Sequence, residues 1–135
     1  MRRQMAWFVL ALVGILTVVS TAGADTVTKA QRKNRICFTV TATPAGRPPA
    51  AGNKAIFDFH LIVPAGMQII SVSSPDGWNG HLQGNQATWT TTTRPIRMGN
   101  GRGGFCVQIT GAGRATWITT DKDGAPIVQG HINLP

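Results

Sequence analysis

Two cysteines, three histidines and a series of arginines are the side chains of this sequence whose types and spacing could do chemistry. Cys37 lies between Ile36 and Phe38, and Cys106 between Phe105 and Val107. In an alternating segment that placement turns both thiols away from the apolar face. Two outward cysteines on neighbouring strands can close a disulfide, which would stabilise by roughly 4 kcal/mol in the chain-entropy model, or they can hold a soft metal ion. With only two cysteines in an exported chain, the disulfide is the expectation. His60, His81 and His131 have no short spacing that would place two ligands on one strand face or one helical turn. With Met67 and Met98 they are the other soft or borderline ligands. No cofactor is expected, and copper is the alternative they would serve.

The arginines suggest a different chemistry. Arg94, Arg97 and Arg102 flank or occupy a loop around Met98–Gly104. Closing that loop would bring three guanidinium groups to one end of the domain, where an anionic ligand would relieve their repulsion. Trp78, between the glycines of Pro75-Asp76-Gly77-Trp78-Asn79-Gly80, is either an exposed aromatic that grips a sugar or partner, or a staple folded over the end of the core. Lys29, Arg32, Lys33 and Arg35 form a second basic group, read equally as a binding surface or as a solvated leader into the first long strand.

Catalysis finds little support. The acidic residues are five aspartates, Asp25, Asp58, Asp76, Asp121 and Asp123, and Glu and Tyr are both absent. Two of the five belong to the turn Asp121-Lys122-Asp123-Gly124, which holds only part of a calcium-loop pattern. Ser71, Ser73 and Ser74 lack the glycines of a nucleophile elbow. The glycine-rich stretch 98–104 is followed by a strand, whereas phosphate-cradling loops lead into a helix.

The elements that must position these residues are strands. The chain has 135 residues and a net charge of +8, room for one domain. Residues 1–24 read as a signal peptide, with Arg2 and Arg3 before an apolar run and Ala22-Gly23-Ala24 supplying small residues for cleavage; a retained anchor is the alternative. Residues 25–135 then form the mature domain, secreted or periplasmic, with no further membrane span. Export makes an anionic envelope polymer, a glycan or a protein a better partner than nucleic acid. Period-two alternation runs through 35–43, 54–63, 103–110, 114–120 and 126–134, with shorter β-rich runs at 67–74 and 86–93. The proline- and glycine-rich segment 43–53 reads as a long loop. An all-β, immunoglobulin-like sandwich of seven to nine strands follows.

Val63-Pro64-Ala65-Gly66-Met67, Ser71-Val72, Pro75-Asp76-Gly77-Trp78, Thr88-Trp89, Ile96, Gly99, Phe105 and Asp123-Gly124 together resemble the ordered landmarks of the YcnI-like exported bacterial domain, over roughly 56–128. The resemblance implies an immunoglobulin-like sandwich associated with copper handling. That family's copper site uses a histidine at the mature N-terminus, a carboxylate and a tryptophan. Here the mature chain would begin Asp25-Thr26, without that histidine and without the family's membrane tail, so no site residue is carried over.

Overall fold

A computed structural model of the chain describes residues 25–42 and 55–135. The expected signal segment 1–24 and the loop 43–53 lie outside them. The described residues form nine strands: β1 (Thr26–Arg32), β2 (Arg35–Thr41), β3 (Asp58–Ile62), β4 (Gln68–Ser73), β5 (Asn79–Gln83), β6 (Gln86–Thr90), β7 (Gly101–Thr110), β8 (Gly113–Thr120) and β9 (Pro126–Leu134). They build two antiparallel sheets of order β1-β2-β7-β4 and β5-β6-β3-β8-β9. The first sheet and the β3-β8-β9 half of the second follow the immunoglobulin arrangement. The β5–β6 hairpin widens the second sheet beyond β3, and β4 precedes that hairpin in the chain.

Alternation explains most of the strands. Ile36, Phe38 and Val40 of β2, Phe59 and Leu61 of β3, and Phe105, Val107 and Ile109 of β7 are all buried, so each strand gives one apolar face to the shared core. At its centre Phe59 stacks on Trp89 with ring centroids 5.3 Å apart, and Phe105 meets Phe59, Trp89 and Trp78 edge-on at 5.4, 5.7 and 5.0 Å. The Trp89 indole N–H donates to the Ser73 carbonyl oxygen at 3.0 Å, which spares it an unmet donor at the core boundary.

Three expectations are corrected. Ile56, assigned outward by simple alternation, is fully buried and bridges Ile96, while Phe57 is only half-buried. Asp58 ends that reversal, because β3 starts there and pairs with Thr90 and Thr120 on its two sides. The basic segment before β2 is no solvated leader but a paired strand, β1, running from Thr26↔Thr41 to Arg32↔Arg35. β5 is a further strand that alternation did not mark, since most of its residues are exposed on both faces.

A glycine in β9 sets a local test. Gly130 lies opposite Trp117, and a Cβ there would fall 2.4 Å from the indole Cζ2, so the ring occupies the space a side chain would need. Gly130→Ala is expected to destabilise by about 1–3 kcal/mol, as overpacking does. Urea denaturation measures it, and an unchanged midpoint would mean that the ring does not lie over the glycine.

Register also sorts charge along the sandwich. At one end, Asp25 accepts from Thr119 Oγ1 at 2.8 Å, Asp58 accepts from Thr120 Oγ1 at 2.6 Å, and Asp121 and Asp123 form the β8–β9 turn. Asp76 lies in the β4–β5 turn at this same end, joined through Thr91 Oγ1, which donates to the Gly77 carbonyl, and Thr91 N, which donates to Phe57. All five aspartates of the sequence therefore gather there. The opposite end holds the β1–β2 hairpin, the Pro64–Met67 turn and the start of β8, tied together by Ile109 N donating to Asn34 and by the close approach of Gly111 and Gly113 to Gly66, Pro64 and Met67. Among the described residues its charged side chains are Arg32, Lys33, Arg35 and Arg114, all basic, whereas at the other end Arg94, Arg97, Arg102 and Lys122 offset most of the aspartate charge.

Candidate functional site

The two cysteines form the expected bond. Cys37 and Cys106 face each other directly across β2 and β7, with their Cα atoms 4.0 Å apart, and are joined as a disulfide. The bridge lies within one sheet, on its outer face, where the immunoglobulin bond would cross the core between sheets. Cys106 is buried beneath its neighbours and Cys37 half-buried. Such a bond fits an oxidising compartment, and it leaves no thiolate pair for a metal.

The arginines of the second half divide by position. The aliphatic stem of Arg94 lies against Gly77, and Arg102 Nη2 donates to the Asp76 carbonyl at 3.0 Å, so the two clamp the Pro75–Trp78 turn between them. Gly77, at φ 82, has no Cβ to displace the Arg94 stem. Arg97 is exposed in the separate turn closed by Asn100 N donating to the Arg97 carbonyl. The three do reach one end of the sandwich, but no hairpin gathers them: β6 and β7 belong to different sheets, the connection between them crosses from one to the other, and Arg102 already stands on β7. Of the two readings of Trp78, the staple over the core holds and the exposed grip does not. The residue is 5% exposed and packs edge-on against Phe105. Its indole N–H is buried and has no hydrogen-bond partner among the described residues.

The basic hairpin is the other charged feature, and it is firmly built. Gln31 Nε2 donates to the Lys33 carbonyl at 2.9 Å, and the Asn34 carbonyl accepts from Ile109 N at 3.1 Å, pinning the tip to β7. Arg32 and Arg35 stand directly opposite each other, both exposed. Like charges in that relation are destabilising unless a counter-charge joins them, yet none of the strands β1, β2, β4 and β7 contains an acidic residue. Lys33 holds φ 60, a left-handed conformation that glycine or asparagine adopts at lower cost. Lys29 is used otherwise: from the inward side of edge strand β1 its ammonium donates to the Asn133 carbonyl, closing the gap between β1 and β9, and burial lowers its pKa.

Beside this hairpin the outer face of the first sheet carries a groove of about 250 Å³, lined by Arg35, Ser71, Ser73, Cys106, Val107 and Gln108. Register explains it. One cross-strand row reads Arg32, Arg35, Gln108, Ser71, and the next reads Ala30, Cys37, Cys106, Ser73. Ser71 Oγ donates to Gln108 Oε1 at 3.0 Å, which leaves the Gln108 amide N–H groups for another acceptor.

The chain matches no protein-family model. No curated protein matches it either. Among solved structures it is similar to an uncharacterised protein of Nocardia farcinica with an immunoglobulin-like fold, at 16% identity and TM-score 0.47, over 82% of this chain and 74% of that one. A chitin-binding domain from Streptomyces coelicolor aligns at 14% identity and TM-score 0.43, over 82% of this chain and 91% of that one. A non-cellulosomal cohesin from the archaeon Archaeoglobus fulgidus aligns at 14% identity and TM-score 0.41, over 84% and 82%.

The histidines share a face that sequence spacing did not reveal. His81 on β5, Thr88 on β6 and His60 on β3 form one cross-strand row on the outer side of the second sheet, and His131 on β9 opposes Thr116 on that same side. An intervening strand keeps His60 and His81 about 10 Å apart at the backbone. Among the described residues no three potential ligands converge. Met67 is buried and Met98 is exposed in the loop beyond Arg97.

His60 has a structural role. Its Nδ1 lies 3.2 Å from Thr88 Oγ1 and 3.4 Å from Gln86 Nε2. Burial lowers its pKa from the ordinary 6.5, against the raising influence of Asp58. The unfolded chain therefore takes up this proton more readily than the folded one. The contribution to stability is complete above about pH 6.5 and is lost as pH falls through that value toward the folded pKa. Melting temperatures at pH 7.5 and 5.5 should fall further apart for the parent than for His60→Gln; equal gaps would mean that His60 does not titrate differently on folding.

Proposed function

We propose that this chain is an exported, noncatalytic β-sandwich module that binds an anionic partner outside the cytoplasm. One observation carries the reading: the aspartates gather at one end of the sandwich while Arg32, Lys33, Arg35 and Arg114 occupy the other. Such a separation creates a positive field at one end that steers an anionic partner to a defined surface. The disulfide supports a secreted or periplasmic setting.

On this reading the contact lies away from the cluster of Arg94, Arg97 and Arg102, two of which are engaged with the Asp76 turn. The experiment compares two charge-removal variants on an anionic polysaccharide surface at several salt concentrations. Replacing Arg32, Lys33, Arg35 and Arg114 with Ser should weaken binding by at least about tenfold and flatten its salt dependence. Replacing Arg94, Arg97 and Arg102 with Ser should change it less. Binding at low salt that survives both sets would overturn the reading.

A further inference from the structure

We infer that the groove between Arg35 and Ser73 is a subsite for a uronate, a carboxylate-bearing sugar unit of an acidic glycan. The inference rests on the anion-binding reading above and assigns it a place and a ligand class. Three features of the groove converge on it.

The first is charge without a counter-charge. Arg32 and Arg35 are cross-strand neighbours at one end of the groove, and the four strands of this sheet carry no carboxylate to neutralise them. The planar guanidinium fork matches a carboxylate in two-point geometry. The ligand thus presents a carboxylate at the hairpin end.

The second is the polarity of what lies beyond. Ser71, Ser73 and the Gln108 amide continue the groove away from Arg35. The Ser71–Gln108 hydrogen bond fixes the amide so that its N–H groups remain to donate. Hydroxyls that both donate and accept, with an amide donor, suit the hydroxyl groups of a sugar ring rather than a bare inorganic anion. The volume, about 250 Å³, suits a short stretch of ligand.

The third is rigidity. The Cys37–Cys106 disulfide lies one row along from Arg35 and Gln108 and locks β2 to β7. Asn34 is pinned to Ile109 on the same strand pair. The polar groups are therefore held before the ligand arrives, which reduces the ordering cost of binding. Neutral glycans are commonly gripped by exposed aromatic rings, and here Trp78, Trp89 and Trp117 are all buried. Recognition through charge and hydrogen bonds selects the acidic sugar.

The test titrates the purified protein with hexagalacturonate, with poly(glycerol phosphate) as an anion lacking uronate and with chitohexaose as a neutral glycan, followed by backbone amide NMR. The expected result is salt-sensitive binding of hexagalacturonate with shifts at residues 35, 71, 73, 106 and 108, weaker binding of the phosphate polymer and none of chitohexaose. Arg32→Gln with Arg35→Gln should weaken hexagalacturonate binding by about tenfold or more. Gln108→Ala should weaken it severalfold without changing the salt dependence, a readout that loss of charge alone would not give. Melting curves establish that each variant is folded, and both sites are exposed. Equal affinity for the phosphate polymer would overturn the uronate assignment while leaving anion binding standing. Shifts confined to the loop of Arg94, Arg97 and Arg102 would overturn the groove and keep the anionic partner. Binding of neither anion would overturn both.

Discussion

Serine at both Cys37 and Cys106 is expected to cost the domain roughly 4 kcal/mol of folding stability. The bond closes a loop between residues 69 apart in sequence, and in the chain-entropy model the cost of closing such a loop then falls on the folding of the open chain. Set against a total stability of about 5–15 kcal/mol for a domain, this is a large fraction. At about 4 °C per kcal/mol for a domain near this size, the melting temperature should drop by about 15 °C. The variant should still fold at low temperature, because β2 and β7 remain paired along their ladder and the bond lies outside the core. Reduction of the parent by dithiothreitol should produce the same shift only slowly, since Cys106 is 4% exposed. A drop of only two or three degrees in the double variant would mean that the unfolded chain is already constrained in this region.

The disulfide also shows how much of the molecule could be read from residue order. Alternation around Cys37 and Cys106 was enough to place both side chains outward on strands, and geometry then required neighbouring strands. Asp123-Gly124 marked the β8–β9 turn, where Asp121 Oδ1 accepts from the backbone N–H groups of residues 123 and 125. The β5–β6 hairpin turns at Gly84-Asn85, although β5 itself carries almost no apolar signal. Strand pairing was less legible, because it depends on which apolar faces meet across the core and not on local pattern. That is why the common face of His60, His81 and His131 was hidden, and why the groove was too: its residues come from β2, β4 and β7, and only register brings them together. The basic hairpin was misread for another reason. β1 is an edge strand whose residues beyond Val27 are exposed, so its sequence lacks an apolar rhythm. Asn34 between Lys33 and Arg35 was the one turn signal available. The choice at Trp78 between exposed grip and core staple was open in the sequence, and the edge-on contact with Phe105 closes it.

Phe105→Ala is the other substitution with a large expected effect, about 3–5 kcal/mol. Its ring meets those of Phe59, Trp78 and Trp89, so it joins the turn before β5 to both sheets. Truncation leaves a cavity walled by three rigid rings that cannot collapse into it, and the cost of a core deletion rises with the volume left behind. Trp78 should suffer most, because its indole N–H already lacks a partner among the described residues and its burial depends on the contact with Phe105. Guanidinium denaturation followed by tryptophan fluorescence would measure the loss, and Phe105→Leu should recover a substantial part by refilling the space. Where the alanine variant remains folded, its affinity for hexagalacturonate should stay within about twofold of the parent. Phe105 points into the core while its neighbours Cys106 and Gln108 line the outer groove, held by the disulfide and the Ser71 hydrogen bond. A core mutation that abolished binding without unfolding the protein would show instead that the groove depends on the ring cluster beneath it.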